Sequence, residues 1–191
     1  MSWSKHLETL NRLTSKLETV YQGRPVTPDE AFDLLFARTL RLRADNGTLF
    51  CIGNGASAAI SSHFSADMAK NGALHTEVFT DLALLSAISN DMGFENVYAE
   101  PFSRRAKAGD MLVAISSSGR SPNILKCVRR AADFHTDVIT FSAMDSDNPL
   151  RECGFLNFYV PARLYGNAES LHAMLLHYWT DLFLNEEKQE N

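Results

Sequence analysis

Between residues 48 and 160 the chain alternates short apolar runs with stretches whose apolar positions recur every three or four residues. TLFCIG (48–53), TEVFT (76–80), DMLVAISS (110–117), TDVITFS (136–142) and FLNFYV (155–160) have the length and β-branched content of buried strands. Helical patterns fill the intervals 57–70, 82–90, 95–107 and 121–134, and a long final helix covers about 166–187. Ahead of this region, Trp3, Leu7, Leu10, Leu13, Leu17 and Val20 fall on one stripe and predict an amphipathic helix over 3–20. The segment QGRPVTPD breaks it. Thr27, Pro28 and Glu30 then predict the start of a second helix, with Ala31, Leu34, Leu35 and Leu42 on its apolar face and Asn46-Gly47 as its stop.

Alternation of this kind predicts an α/β fold, a doubly wound five-stranded parallel sheet flanked by helices, with an N-terminal helical extension. Such a sheet takes ligands beyond the carboxyl ends of its strands, where the strand order reverses. Two strands lead into loops of small residues, GNGAS (53–57) and SSSGRS (116–121), each followed by a helix. Converging backbone N–H groups, a helix N-terminus and hydroxyl side chains together suit a phosphate. Serines that cap helices and glycines that make turns give the same local pattern without a ligand. The chain has no GxxxxGK[ST], and no third glycine completes GxGxxG after Gly53 and Gly55. A sugar phosphate therefore fits better than a nucleotide.

Composition narrows the class further. The 191 residues suit a single domain spanning 1–191. With 45% hydrophobic and 21% charged residues the composition is that of a globular protein. A net charge of -5 argues against broad nucleic-acid binding. Cys51, Cys127 and Cys153 are odd in number, widely spaced and without a CxxC pair, which predicts free thiols in a reducing compartment. No run reaches the roughly 18 to 20 apolar residues of a membrane span, and the N-terminus lacks a signal-peptide core, so a cytoplasmic location is expected.

Two helical segments carry side chains suited to proton transfer. In SHFSADMAKN, His63 and Asp67 share a helix face, with Lys70 beyond them, and in NAESLHAMLLHYW the final helix carries Glu169, His172 and His177. Two imidazoles and two carboxylates also form a plausible divalent-metal set, although such pairs are more often polar residues on helix faces. His6, His75 and His135 have no motif around them. The leading helices and the final one, with Leu175, Leu176, Trp179, Leu182 and Phe183, present more apolar surface than one small sheet covers, which predicts self-association.

GNGAS (53–57), SSHF (61–64), ISND (88–91), GFEN (93–96) and AISSSGRSPN (114–123) together resemble the sugar isomerase (SIS) domain family, and within it the phosphoheptose isomerases. The resemblance covers nearly the whole chain. It implies a homotetramer with active sites at subunit boundaries, residues 1–46 taking part in its packing. It implies substrate and phosphate binding by Asn54, Gly55, Ser57, Asp91, Ser116, Ser117, Ser118 and Ser121. Asp67 and His177 take the catalytic roles, and His63, Asp67, Glu169 and His177 the zinc-binding ones. Asp67 stands where those enzymes carry Glu, and Glu169 where they usually carry Gln.

The reaction implied is aldose–ketose isomerisation, most simply sedoheptulose 7-phosphate to D-glycero-D-manno-heptose 7-phosphate or a related sugar phosphate, for lipopolysaccharide or capsule synthesis. Such a reaction needs a base near C1 and C2 and no redox cofactor. An alternative from the same family is a non-catalytic tetramer serving as a protein-binding scaffold, like the protein that associates with the replication initiator. A sugar-sensing half of a transcription regulator fits less well, since 191 residues leave no room for a DNA-reading module.

Overall fold

The five strands expected from the apolar runs all form, and a hairpin joins them. A computed structural model describes residues 2–189. In chain order the elements are α1 (Trp3–Thr14), β1 (Glu18–Tyr21), β2 (Arg24–Val26), α2 (Pro28–Ala44), β3 (Thr48–Gly53), α3 (Ala56–Asn71), β4 (His75–Val78), α4 (Leu82–Met92), α5 (Ala99–Arg105), β5 (Met111–Ser116), α6 (Pro122–Ala131), β6 (Asp137–Ser142), β7 (Leu156–Tyr159) and α7 (Tyr165–Gln189). One sheet holds every strand, in the order β2-β1-β7-β6-β5-β3-β4. From β7 to β4 the pairing is parallel, whereas β1 pairs antiparallel with both β7 and β2. The sheet thus has seven strands rather than five.

The added hairpin replaces the end of the helix predicted over 3–20. α1 stops at Thr14, and Leu17 and Val20 continue the apolar face on extended chain. The signal that decides against helix is the turn Gln22-Gly23, whose φ values of 46° and 79° are both positive. Two such residues between Tyr21 and its partner Arg24 make the tight turn whose twist matches paired strands. Arg151 then clamps the hairpin from the next strand's approach, reaching the Glu18 carboxylate at 2.6 Å. α2 begins where the sequence predicts, with the Thr27 hydroxyl accepting from the Glu30 N–H and Pro28 in the first turn.

Alternate residues of each central strand enter opposite cores, as the pleat requires. Leu49, Cys51, Met111, Val113, Ile115, Ile139 and Phe141 face α1, α2, α3 and α7. Phe50, Ile52, Leu112, Ala114 and Val138 face α4, α5 and α6. Of the apolar stripe on α7, Leu175, Leu176, Trp179 and Phe183 are buried within the chain itself. They therefore give no support to self-association. Exposed instead are Trp3 and Leu7 of α1 and Met174 and Tyr178 of α7. All three cysteines are free, and burial pushes the thiols of Cys51 and Cys127 well above their ordinary range. Among the described residues no helix is long and apolar enough to cross a membrane.

Candidate active site

Strand order reverses between β3 and β5, where the next strand in sequence lies to opposite sides. The loops after these two strands, 53–57 and 116–121, therefore border the same crevice. α1, α2 and α4 are capped by the side chains of Ser2, Thr27 and Asp81, while α3 and α6 have no side-chain cap. The positive ends of the α3 and α6 dipoles follow these loops, with the Ser57 N–H turned onto the Asn54 carbonyl at 3.0 Å and the Ile124 N–H onto Asn123 Oδ1 at 3.0 Å.

A reciprocal amide pair ties the loops together. Asn54 Nδ2 donates to Asn123 Oδ1 at 2.9 Å, and Asn123 Nδ2 donates to Asn54 Oδ1 at 2.8 Å. Asn123 was visible in the SPN motif, yet no spacing rule marks it as the partner of a residue 69 positions away. Gly53 is required by proximity: a Cβ there would stand 2.6 Å from the Ser57 main chain. Gly55 precedes α3 at the exposed rim. The hydroxyls of Ser116 and Ser121 face each other at 3.3 Å, and the buried Ser117 hydroxyl has no protein partner. Together with Ser57 and Ser118 they line a cleft of about 130 Å³, closed on its other side by Tyr165 and Glu169 of α7. Tyr165 belongs to no sequence motif.

A second cluster lies along α3 and α7. Asp67 Oδ2 stands 3.3 Å from His63 Nε2 and 3.8 Å from His177 Nδ1. The two imidazole centroids are 5.2 Å apart. One donor atom from each of the three residues lies within 4.8 Å of the other two. Ligands bonded at 2.0–2.1 Å to a tetrahedral ion stand about 3.3 Å apart, so two imidazoles and a carboxylate at these separations fit a zinc-type ion with a fourth position open. The adjoining cleft, about 250 Å³, is otherwise apolar, with Ala59, Ile60, Phe64, Ala173 and Leu176 in its wall.

Glu169 is not in this cluster within one chain. Eight residues before His177, it lies about 12 Å along the helix axis from it at 1.5 Å per residue, and it lines the serine cleft instead. Asp91 is exposed at the end of α4, where its Oδ1 accepts from the Asn90 amide at 2.8 Å, and it lines neither cleft. His75 and His135 are exposed, and His6 packs beside Trp3 with ring centroids 5.6 Å apart.

His172 has a structural role. It is fully buried, and Nε2 lies 3.1 Å from the Ser142 carbonyl, to which it donates. Burial pushes its pKa down to about 4, an effect partly opposed by that backbone hydrogen bond. Folding then favours the neutral ring, so its contribution is complete above the unfolded value of about 6.5 and is lost as pH falls towards 4, by up to about 3 kcal/mol. Urea unfolding at pH 7, 5.5 and 4 should show wild type losing more stability than His172→Gln over this window. Parallel pH profiles for the two chains would refute the assignment.

A family model described as the SIS domain matches residues 27–143. The phosphoheptose isomerase of Helicobacter hepaticus is 31% identical over 148 residues, covering 74% of this chain and 75% of the relative. That of Bordetella avium is 32% identical over 157 residues, 77% of each chain. Among solved structures, phosphoheptose isomerase GmhA from Neisseria gonorrhoeae superposes with a TM-score of 0.80 at 27% identity, over 94% of this chain and 96% of that one. The phosphoheptose isomerase from Francisella tularensis shares the fold, with a TM-score of 0.82 at 22% identity over 97% and 100% of the two chains.

Proposed function

The chain belongs to the SIS domain family, and from that premise we propose that it isomerises sedoheptulose 7-phosphate to the corresponding aldose, a heptose 7-phosphate for envelope or capsule glycans. The observation carrying this reading is the convergence of His63, Asp67 and His177 in a structure whose switch-point crevice is a cradle of hydroxyls beside two helix N-termini without side-chain caps. The cradle holds the phosphate. The triad supplies the groups that an enediol mechanism requires.

Asp67 takes the carbon-bound proton. Its Oδ2 faces both imidazoles, which leaves Oδ1 as the oxygen that meets the substrate. His177 carries protons between the two substrate oxygens, and His63, the closer imidazole to Asp67, fixes the carboxylate's orientation. The apolar wall beside the triad excludes water from the carbanion-like intermediate. His63, Asp67 and His177 would hold a divalent ion, and such an ion would supply Lewis acidity.

One chain keeps the cradle and Glu169 apart from the triad, an arrangement suited to a site shared between copies, in which Glu169 of a neighbour approaches the cluster. The exposed apolar residues of α1 and α7 provide the contact for a homotetramer. Sedimentation at micromolar concentration tests this, and a monomer refutes it. The scaffold reading is not favoured, because the curated relatives are isomerases and the triad is intact. The purified chain, incubated with sedoheptulose 7-phosphate with and without zinc, should form the aldose and should turn over faster with the metal. No product at any metal loading overturns the proposal.

A further inference from the structure

The 143–150 segment after β6 approaches the serine loop from below and contains a buried side chain with no role in the reaction so far described. Asn148 is 1% exposed. Its amide nitrogen donates to the carbonyls of Asp145 at 2.8 Å and Ala143 at 3.2 Å, which fixes the ring of chain between them. Its Oδ1 has no hydrogen-bond partner among the described residues and is pressed against Gly119, 1.9 Å from where a Cβ would stand. The same two segments are joined by main-chain bonds, Ala143 N–H to the Ser117 carbonyl at 3.0 Å and Leu150 N–H to the Gly119 carbonyl at 3.3 Å. Gly119 itself is left-handed, φ 61°, and its N–H closes the turn onto the Ser116 carbonyl at 2.9 Å.

We propose that Asn148 is a positioning residue for anion binding: it sets the conformation of the 116–121 loop through Gly119, and so the direction in which the Ser117, Ser118 and Ser121 hydroxyls and the α6 N-terminus point. The inference rests on the reading of that loop as the phosphate cradle. A buried amide satisfied on its nitrogen side and placed in van der Waals contact on its oxygen side leaves the glycine one seat. The side chain does not touch the substrate. Its loss lets the loop relax by a fraction of an ångström, enough to weaken convergent hydrogen bonds to a phosphate while the triad on α3 and α7 stays in place.

Asn148→Ala and Asn148→Asp test this, the second keeping the volume but replacing the donor NH2 by an acceptor facing two carbonyls. In both, the dissociation constant for inorganic phosphate and the KM for sedoheptulose 7-phosphate are expected to rise about tenfold or more, with kcat within about threefold of wild type. Leu35→Ala, in the core far from the loop, serves as a control that lowers the unfolding midpoint without moving phosphate affinity. If either folded Asn148 variant binds phosphate as wild type does, or loses kcat rather than affinity, the assignment is overturned. Wild type that binds phosphate but isomerises nothing refutes the proposed function alone, since the phosphate measurement still decides the role of Asn148. Wild type that binds no phosphate overturns both.

Discussion

Asp67→Asn is expected to lower kcat by about 10³-fold, within the range for removal of a positioned base, while KM stays within a few-fold of wild type. The amide keeps the shape of the carboxylate but cannot accept a proton from carbon. Substrate affinity resides largely in the serine cradle, a separate cleft, which is why binding survives. His177→Gln should produce a loss of similar order, and the double variant little more than either alone, because the two groups act in one proton path. Asp67→Glu adds a methylene to a carboxylate already 3.3 and 3.8 Å from two imidazoles. Steady-state kinetics at saturating zinc, with metal content measured on each variant, separates loss of the base from loss of the ion. Retention of near-normal kcat in Asp67→Asn would remove this residue from the chemistry.

The parallel sheet was legible because each central strand is buried on both faces and so reads as a continuous apolar run. Leu112, Val113, Ala114 and Ile115 show no exposure at all. The N-terminal hairpin was not legible, since Leu17 and Val20 satisfy a helical stripe as well as a strand face. Only the positive φ values at Gln22 and Gly23 resolve the ambiguity, and Gln does not advertise that conformation. At the candidate site, the residues that a local motif marks, the serines, His63 with Asp67, and His177, are those that gather in the serine cleft and in the cluster on α3 and α7. Those defined by distant partners carry no such mark. Asn123 acts through Asn54, Tyr165 faces a loop more than 40 positions earlier, and Asn148 acts through Gly119. Sequence spacing records neighbours along one element, whereas these contacts arise only when the sheet order is fixed. The same limit explains His172, which shares a helix with Glu169 and His177 but is buried beneath the end of β6.

Gly119→Ala should be the most damaging single methyl in the chain. Two independent costs coincide at this position. At φ 61° an L-residue is held in the left-handed region, a penalty of about 1–2 kcal/mol. The new methyl also meets Asn148 Oδ1 at 1.9 Å and Cγ at 2.3 Å, and the asparagine cannot swing away without breaking its bonds to Ala143 and Asp145. Overpacking of that kind costs roughly 1–3 kcal/mol more. The sum, about 3 kcal/mol, corresponds to a fall in unfolding midpoint of roughly 6–12 °C for a chain of this length. Phosphate binding should weaken with it, because displacement of Gly119 moves the serine hydroxyls on both sides. The double variant Gly119→Ala, Asn148→Ala separates the two costs: with the amide gone the steric part vanishes and only the backbone part remains, so the pair should be more stable than the sum of the single losses by over 1 kcal/mol. Strict additivity would show that the methyl and the amide do not meet, and that the loop is held by its own turn geometry rather than by the segment beneath it.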